Sequence, residues 1–321
     1  MDNVNARKAS VALLSVISNT TLVVLKLIVG LSIGSVSVIS EAIHSGVDLL
    51  AAIIALFAVR TAARPADEDH PFGHQKMENI SGTVEALLIF LAATWIIYEA
   101  VKKFLHSERL DAPGWGVAIM LVSAVANIFV SRKLFKVGRE TDSVALQADA
   151  WHHWTDVYTS FGVMVGLALI WVGELAFKGM HFHWIDPVAA ICVALLIIRA
   201  AWQLTVQSSR DLMDVSLPPE EEKVIKDHIA SRYPVVRAFH RLRTRKAGSQ
   251  RFVQFHLLVS ADMSVDESHK LHDEIVDSIR QHFPGCHVTI HIEPCDAKCE
   301  TDCIGCLMSE EDKARIREKV S

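Results

Sequence analysis

The chain of 321 residues is 51% hydrophobic yet 21% charged, with a net charge of −5 at neutral pH. Its charges are gathered at one end: residues 9 to 207 are mostly long apolar runs, and residues 208 to 321 are not. That division excludes both a wholly soluble globule and a bundle wholly immersed in lipid, and a membrane part followed by a polar part is expected. The lipid bilayer is then the first partner, and no nucleic-acid partner is expected.

Crossing about 30 Å of hydrocarbon takes about 20 apolar residues in a helix. Six runs approach that length, at 9–32, 38–60, 80–101, 113–134, 144–172 and 184–207. The first is too long for the apolar core of a signal peptide and lacks a small-residue cleavage site, so it reads as a spanning helix. Gly30 and Gly34 leave almost no loop between the first two, and Asp111-Ala112-Pro113 opens the fourth. Arg7, Lys8, Arg60, Arg64, Lys76, Arg132, Lys133, Lys136, Arg139 and Arg210 fall on one side of these spans. Basic residues stay on the cytoplasmic side, so both termini are expected there.

Two short motifs interrupt the apolar runs, His44-Ser45-Gly46-Val47-Asp48 and His152-His153-Trp154-Thr155-Asp156. Side chains four positions apart share one face of a helix. Two such helices facing each other would aim two imidazoles and two carboxylates at one point, the ligand set of tetrahedral Zn²⁺. A hydrogen-bonded network between helices is the alternative. Two unpaired carboxylates in a bilayer would repel, however, so a cation between them is the better reading. His153 points about 100° away around the helix, toward another helix or water. Asn19, Asn127 and Asp149 are candidates for lining the same cavity. Lys26 has a stem long enough to snorkel toward the outer surface, and Glu41 lies near a helix start, where an acid meets the dipole well; both read as either structural or pore-lining.

After residue 207 the pattern changes to that of a small α/β domain. Pro218-Pro219 and Glu220, Glu221 and Glu222 start a helix that runs to about Arg232 and is stopped by Pro234. Phe239 to Arg245 and Arg251 to Val259 alternate as strands around Lys246-Ala247-Gly248-Ser249. Asp266 to Phe283 is helical, Pro284-Gly285 breaks it, and His287 to Ile292 is a last strand. The order α-β-β-α-β implies a two-layer domain with its helices on one face of the sheet. Of the six cysteines, Cys192 reads as packing and Cys286 stands at the entrance to the last strand, while Cys295, Cys299, Cys303 and Cys306 cluster in a tail. A cytoplasmic position argues against disulfides, so those four are either a soft-metal or iron–sulfur site or free thiols. Glu310 to Lys319 reads as a charged terminal helix capped by Ser309.

At this point the chain resembles the cation diffusion facilitators, proton-coupled exporters of Zn²⁺ and related divalent ions. Six helices, His/Asp-x-x-x-Asp pairs on the second and fifth, and a metallochaperone-like α-β-β-α-β domain are that family's layout. The loop Asp67-Glu68-Asp69-His70-Pro71-Phe72-Gly73-His74-Gln75-Lys76 is close to its D-x-x-H-P-[FY]-G-H-x-K. Phe239-His240-Arg241-Leu242-Arg243-Thr244-Arg245, Phe252-Val253-Gln254-Phe255-His256 and Ile290-His291-Ile292-Glu293-Pro294-Cys295 resemble its bacterial zinc-transporting members. The resemblance covers about residues 8–296 and implies a transmembrane domain at 1–207, a cytoplasmic metal-binding dimerisation domain at 208–295 and a tail at 296–321.

It implies a transport site of His44, Asp48, His152 and Asp156. A second, cytoplasmic-side site follows at Asp67, His70 and His74, whose spacing offers three ligands in one turn, with water or Glu78 as a fourth. It further implies a binuclear zinc site at the dimer interface from His240, His256, His269, His291 and Glu293, with Glu where related proteins carry Asp and with His272 as a possible substitute for His269. Lys76 and Asp214 match a charge interlock. The expected function is Zn²⁺ efflux from the bacterial cytoplasm across the inner membrane in exchange for protons, by a homodimer. Export of Cd²⁺, Fe²⁺, Co²⁺ or Ni²⁺ and a membrane-bound zinc sensor are the alternatives. A metallohydrolase ranks last, because there is no H-E-x-x-H and four protein ligands leave no open position.

Overall fold

The computed structural model describes residues 2–33, 36–105, 114–158, 161, 185–297 and 305–320. The chain divides into two compact units, Met1–Leu212 and Met213–Ser321. The first holds helices α1 (Asp2–Ile33), α2 (Val36–Ala62), α3 (Lys76–Leu105), α4 (Gly114–Glu140), α5 (144–158) and α6 (Ile185–Leu212). Among the described residues four stretches are long and apolar enough to cross a membrane: Asn3–Val29, Ser45–Ala62, Lys76–Lys102 and Ala190–Leu212. Most of the remainder of the run expected at 144–172 lies outside the described residues. Helix α6 continues past 207 to Leu212.

Small residues set how closely these helices approach, as they do where lipid gives no hydrophobic drive between helices. One face of α5, with Ala145, Leu146 and Ala150, packs on Ala12 of α1, Ala58 and Val59 of α2, and Val130, Leu134 and Val137 of α4. Another, with Val144 and Ala148, packs on Ala86, Ile89 and Ala93 of α3 and on Ile197, Ala201 and Leu204 of α6. Helix α5 is therefore the element that joins the two apolar clusters. Leu87, Leu91 and Trp95 of α3 and Leu195 and Trp202 of α6 point outward, where a bilayer would solvate them. At one end of the bundle the buried Glu78 ties three elements together. It accepts from Lys8 Nζ at 2.9 Å and from Ser143 Oγ at 2.5 Å.

The second unit contains α7 (Pro219–Ala230), β1 (Ala238–Ala247), β2 (Gln250–Val259), α8 (Val265–His282), β3 (His287–Pro294), β4 (Gly305–Cys306) and α9 (Glu310–Val320). The strands lie in the order β3-β2-β1-β4. Strands β1 and β2 form an antiparallel hairpin turning at Gly248, whose φ of 57° is the left-handed conformation glycine adopts freely. Strand β3 returns through α8 to pair parallel with β2. The core under the sheet joins Ile225 and Ile229 of α7, Leu271, Ile275 and Ile279 of α8, and Val253, Phe255, Leu257 and Val259 of β2. This is the α-β-β-α-β domain expected from the sequence.

Strand β4 is an addition. In the stretch read as a tail, Gly305 and Cys306 pair with Phe239 and Ala238, and Leu307 packs against the core. A Cβ on Gly305 would come within 2.6 Å of the Phe239 ring, so only glycine lets the tail lie this close.

Gly82 of α3 is a comparable contact in the first unit. A Cβ there would meet Ser208 Oγ of α6 at 2.7 Å and Val144 Cγ1 of α5 at 2.9 Å. Gly82→Leu is expected to force the α3–α6 crossing apart, destabilising the bundle by roughly 1–3 kcal/mol as overpacked cores do. A thermal-unfolding scan of the detergent-solubilised protein checks this, and an unchanged midpoint would mean that the crossing is looser than it appears.

Candidate metal-transport site and cytoplasmic clusters

The first constellation lies where α5 faces α2. His152 Nε2 of α5 is 3.0 Å from Asp48 Oδ1 of α2, and both side chains are buried. The other ring nitrogen of His152 is buried without a hydrogen-bond partner. Asn19 of α1 donates to the Asp48 carbonyl at 3.3 Å. Asp156, one turn after His152, accepts from Asn127 Nδ2 of α4 at 3.1 Å. His44 falls on α2 one turn before Asp48, and its side chain lies outside the described residues. Of the four residues expected to form the transport site, Asp48 and His152 touch, and Asp156 is bonded to Asn127.

His153 faces away from that contact, as its place on the helix requires. It is wholly buried, with Nδ1 3.1 Å from Asn127 Oδ1 and Nε2 2.8 Å from Ser15 Oγ of α1. The directions of these bonds follow from donor and acceptor types. Asn127 gives an N–H to Asp156, because a carboxylate only accepts, so its carbonyl oxygen faces His153 and Nδ1 must carry the proton. Nε2 faces the Ser15 hydroxyl. A hydrogen-bonded chain results, linking Ser15, His153, Asn127 and Asp156 from three helices.

Two buried acids complete this interior. Glu85 of α3 accepts from Ser81 at 3.1 Å through one oxygen while the other has no hydrogen bond, and neither oxygen of Asp149 of α5 has one. Asp149 was among the cavity-lining candidates; Glu85 was not, although an acid inside an apolar run is the same signal that marks Asp48. Lys26 does not snorkel outward; it is buried and donates to Ser45 Oγ of α2 at 2.8 Å, because a hydroxyl within reach offers the ammonium a partner without leaving the bundle.

The loop after α2 gathers Asp67, His70 and His74 with ligand atoms within 4.8 Å of one another. Asp67 Oδ1 accepts the His70 main-chain N–H at 2.7 Å and lies 3.2 Å from His70 Nδ1, while its other oxygen lies 3.2 Å from His74 Nε2. The main-chain bond, helped by the two imidazoles, holds the Asp67 carboxyl below its ordinary range. Gly73, at φ 86°, makes the turn that returns His74 to His70. Glu78 is not beside this trio, since Lys8 and Ser143 hold it.

In the second unit the sheet register brings the histidines together. His240 of β1 is opposite His256 of β2, which is opposite His291 of β3. Neighbouring rings in this row stand 5.1 and 4.8 Å apart. Glu293 serves the row with both oxygens, Oε2 3.1 Å from His240 Nε2 and Oε1 2.8 Å from His256 Nδ1 and 3.3 Å from His291 Nε2. Burial opposes ionisation of Glu293, but the hydrogen bonds and charge of His256 and His240 outweigh it and hold the carboxyl below its ordinary range. His269 is not part of this cluster within the chain; it stands on α8 with His272 and Asp273.

Lys76 at the start of α3 donates to the Leu212 carbonyl at 3.4 Å, and Asp214 accepts from Arg245 at 3.1 Å. Cys295 is buried and Cys306 half-buried on β4, while Cys299 and Cys303 lie outside the described residues.

A bundle with a buried His/Asp contact, followed by a small sheet domain carrying a His/Glu cluster, defines a metal-handling membrane protein. The chain matches the cation efflux transmembrane domain over residues 12–213 and the cytoplasmic domain of cation efflux proteins, a dimerisation domain, over 217–295. It belongs to the cation efflux family, the cation diffusion facilitators. This is a family of divalent-metal efflux transporters, not of enzymes, and its bacterial members reside in the inner membrane. An uncharacterized transporter of Synechocystis sp. (strain ATCC 27184 / PCC 6803 / Kazusa), sll1263, is 38% identical over 261 residues, 81% of this chain and 82% of the relative. The cation-efflux pump FieF of Yersinia pestis (strain Pestoides F) is 31% identical over 296 residues, 92% and 96% of the two chains. Among solved structures, CzrB in its Zn form is 40% identical, with 27% of this chain and 98% of that one covered and a TM-score of 0.24. The metal-bound C-terminal domain of the CzcD transporter from Thermotoga maritima is 28% identical, covering 24% and 94%, with a TM-score of 0.22.

The lowered pKa of Glu293 carries a pH signature. A carboxyl held low in the fold stabilises it above the ordinary value of about 4.3 and loses that contribution as pH falls through the lowered one. Metal-free protein is therefore expected to lose protection in β2 and β3 below about pH 4.3, and Glu293→Gln should flatten that acid limb. Hydrogen-exchange mass spectrometry on the intact chain reads it; identical acid limbs in the two proteins would refute the assignment.

Proposed function

We propose that the protein exports a divalent cation, Zn²⁺ foremost, across the bacterial inner membrane in exchange for protons. The observation that carries this reading is the His152–Asp48 contact at 3.0 Å between buried faces of α5 and α2. With Asp156 one turn away on α5 and His44 one turn away on α2 in sequence, two imidazoles and two carboxylates would be available to one ion. Such a set suits borderline ions such as Zn²⁺, with Cd²⁺, Co²⁺, Fe²⁺ and Ni²⁺ next and oxygen-preferring Mn²⁺ last. Protons compete with metal for the same nitrogens and oxygens. A site loaded when open to the cytoplasm and protonated when open to the outside would release its ion there, which is exchange by alternating access. Six spans with both termini cytoplasmic fit the basic residues that flank them. Asp67, His70 and His74 would form a second, cytoplasmic-side site, and His240, His256, His291 and Glu293 would bind regulatory zinc in the homodimer.

The chain from Ser15 through His153 and Asn127 to Asp156 supports the same reading. A ligand carboxylate accepting from a fixed amide has its lone pairs aimed before the ion arrives, as outer-shell partners of metal sites do. A membrane-bound sensor would share every ligand and differ only in moving nothing.

Zinc uptake into proteoliposomes with and without a pH gradient separates transporter from sensor. Asp48→Ala and Asp156→Ala are each expected to abolish flux while the protein elutes as a folded dimer; near-normal flux in both would remove this site from the mechanism.

Asn127→Leu keeps the bulk but ends the donation to Asp156. It is expected to raise the zinc concentration at half-maximal flux about 10–100-fold, the usual cost of an outer-shell partner. Maximal flux should change far less, and an unaltered concentration dependence would show that Asp156 needs no such support.

A further inference from the structure

The ends of α4 and α5 that meet at the turn 141–143 carry a feature that takes no part in metal handling. A cleft of about 430 Å³ opens between the two helices, lined by Arg132, Lys136 and Arg139 with Phe135 on α4, and by Trp151 and Trp154 on α5. The spacing explains the grouping. Positions 132, 136 and 139 are i, i+4 and i+7, and 151 and 154 are i and i+3, so each set shares one face of its helix. Val130, Leu134 and Val137 take the buried face of α4, which leaves the cations at the surface of the bundle.

The cleft has a fixed floor. Ser131 Oγ donates to the Ala150 carbonyl at 3.1 Å, so the two helices are bonded at its base. Trp151 meets the Phe135 ring edge-on, with centroids 5.3 Å apart and planes at 88°, and the Arg139 guanidinium lies 5.2 Å from the centre of the same ring. Those contacts set the rings and hold Arg139 over an aromatic face. No acid answers the three cations. Elsewhere in the chain basic groups have carboxylate partners, Lys8 with Glu78 and Arg251 with Glu221 among them. Among the described residues Arg132, Lys136 and Arg139 have none, and Glu140, the acid that ends α4, is paired with Arg7.

Three positive charges spread over seven residues of helix, roughly 10 Å at the rise of an α-helix, call for an anion beside them. The two indoles call for an apolar body next to that anion, in the interfacial layer where tryptophan settles. An anionic glycerophospholipid has both, a phosphate headgroup for the cations and a glycerol and acyl stem for the tryptophans. Free phosphate would engage the cations and leave the indoles unused. Basic pockets between transmembrane helices hold headgroups of this kind.

We propose that this cleft binds an anionic phospholipid, held by Arg132, Lys136 and Arg139 through its phosphate and by Trp151 and Trp154 through its stem. Binding does not depend on the ion or on the exchange reaction proposed above; only its place in the cytoplasmic leaflet rests on the orientation given there. A lipid seated here braces the outer side of α5, the helix on which His152 and Asp156 stand.

The test is native mass spectrometry of the delipidated full chain in non-ionic detergent, titrated with phosphatidylglycerol or with phosphatidylcholine. Half-saturation by phosphatidylglycerol is expected at a concentration roughly ten-fold lower or less. Each basic group beside an anionic lipid is worth about a five-fold change in binding. Lys136→Gln should therefore weaken phosphatidylglycerol about five-fold, and Arg132→Gln/Lys136→Gln/Arg139→Gln on the order of 100-fold, with phosphatidylcholine unmoved. If the triple variant does not fold, the exposed Lys136→Gln decides alone. Lys133→Gln is the control, since Lys133 neighbours Arg132 in sequence but lies over the Phe129 ring, and it should leave binding as it is. Equal affinities for the two lipids overturn the proposal, and so does an equal loss in Lys133→Gln, which would mean diffuse surface charge. Displacement of the lipid by an equal concentration of glycerol phosphate also overturns it, making the cleft a site for soluble phosphate.

Discussion

Charge inside an apolar bundle has to be answered at short range, and that requirement organises the first unit. In water an imidazole and a carboxylate would be solvated separately; among alanines and leucines a group without a partner within bonding distance is costly, and of the buried carboxylate oxygens among the described residues only those of Asp149 and one of Glu85 go without a hydrogen bond. His152 answers Asp48, Lys26 answers Ser45, Lys8 answers Glu78, and Asn127 answers both Asp156 and His153. The helix that makes this possible is α5. Its small residues serve two apolar clusters on two faces, and what remains of its circumference carries Asp149, His152, His153 and Asp156. Packing and chemistry are thus written on one helix, so a change in how α5 packs is a change in the geometry of the site.

The second unit solves the same problem differently. Its ligands do not follow a helical repeat. They line up because antiparallel and parallel pairing place His240, His256 and His291 at one level across three strands, and Glu293, two residues beyond His291, returns to the same face. The register of β1 against β2 is interrupted between His240 and Arg243, where Arg241 adopts a φ of 49°. A bulge next to a functional side chain re-aims it, and here it lets His240 face Glu293 while Thr244 and Ala247 remain buried.

How much of this could be read in the sequence depended on whether the relevant distance runs along the chain or across it. The placing of Asp48, His152 and Asp156 on helices inside apolar runs was legible because four residues of helix is a local distance, and so was the α-β-β-α-β order, which rests on alternation and breakers. Glu85 was not singled out, though it obeys the rule that marked Asp48. The partners of His153 lie on other helices, 138 and 26 residues away in sequence, and no local pattern encodes such a meeting. Strand β4 escaped because two residues carry no periodicity, and its docking depends on a missing side chain at Gly305. The partner of Lys26, Ser45, lies on another helix, so the sequence left its role open.

The position of the tail bears on the cytoplasmic cluster. With β4 on the outer side of β1, the strand order leaves β3 as the other edge of the sheet, and β3 is the strand that carries His291 and Glu293. An edge strand is held on one side only, here by its parallel ladder with β2 and by α8 above it. A cation shared by His240, His256 and Glu293 would therefore bond three strands together and tie the edge to the centre, adding to the sheet what hydrogen bonds supply from one side alone. Because the same nitrogens must be free of protons to hold it, the firmness of that edge would follow both the metal level and the acidity of the cytosol.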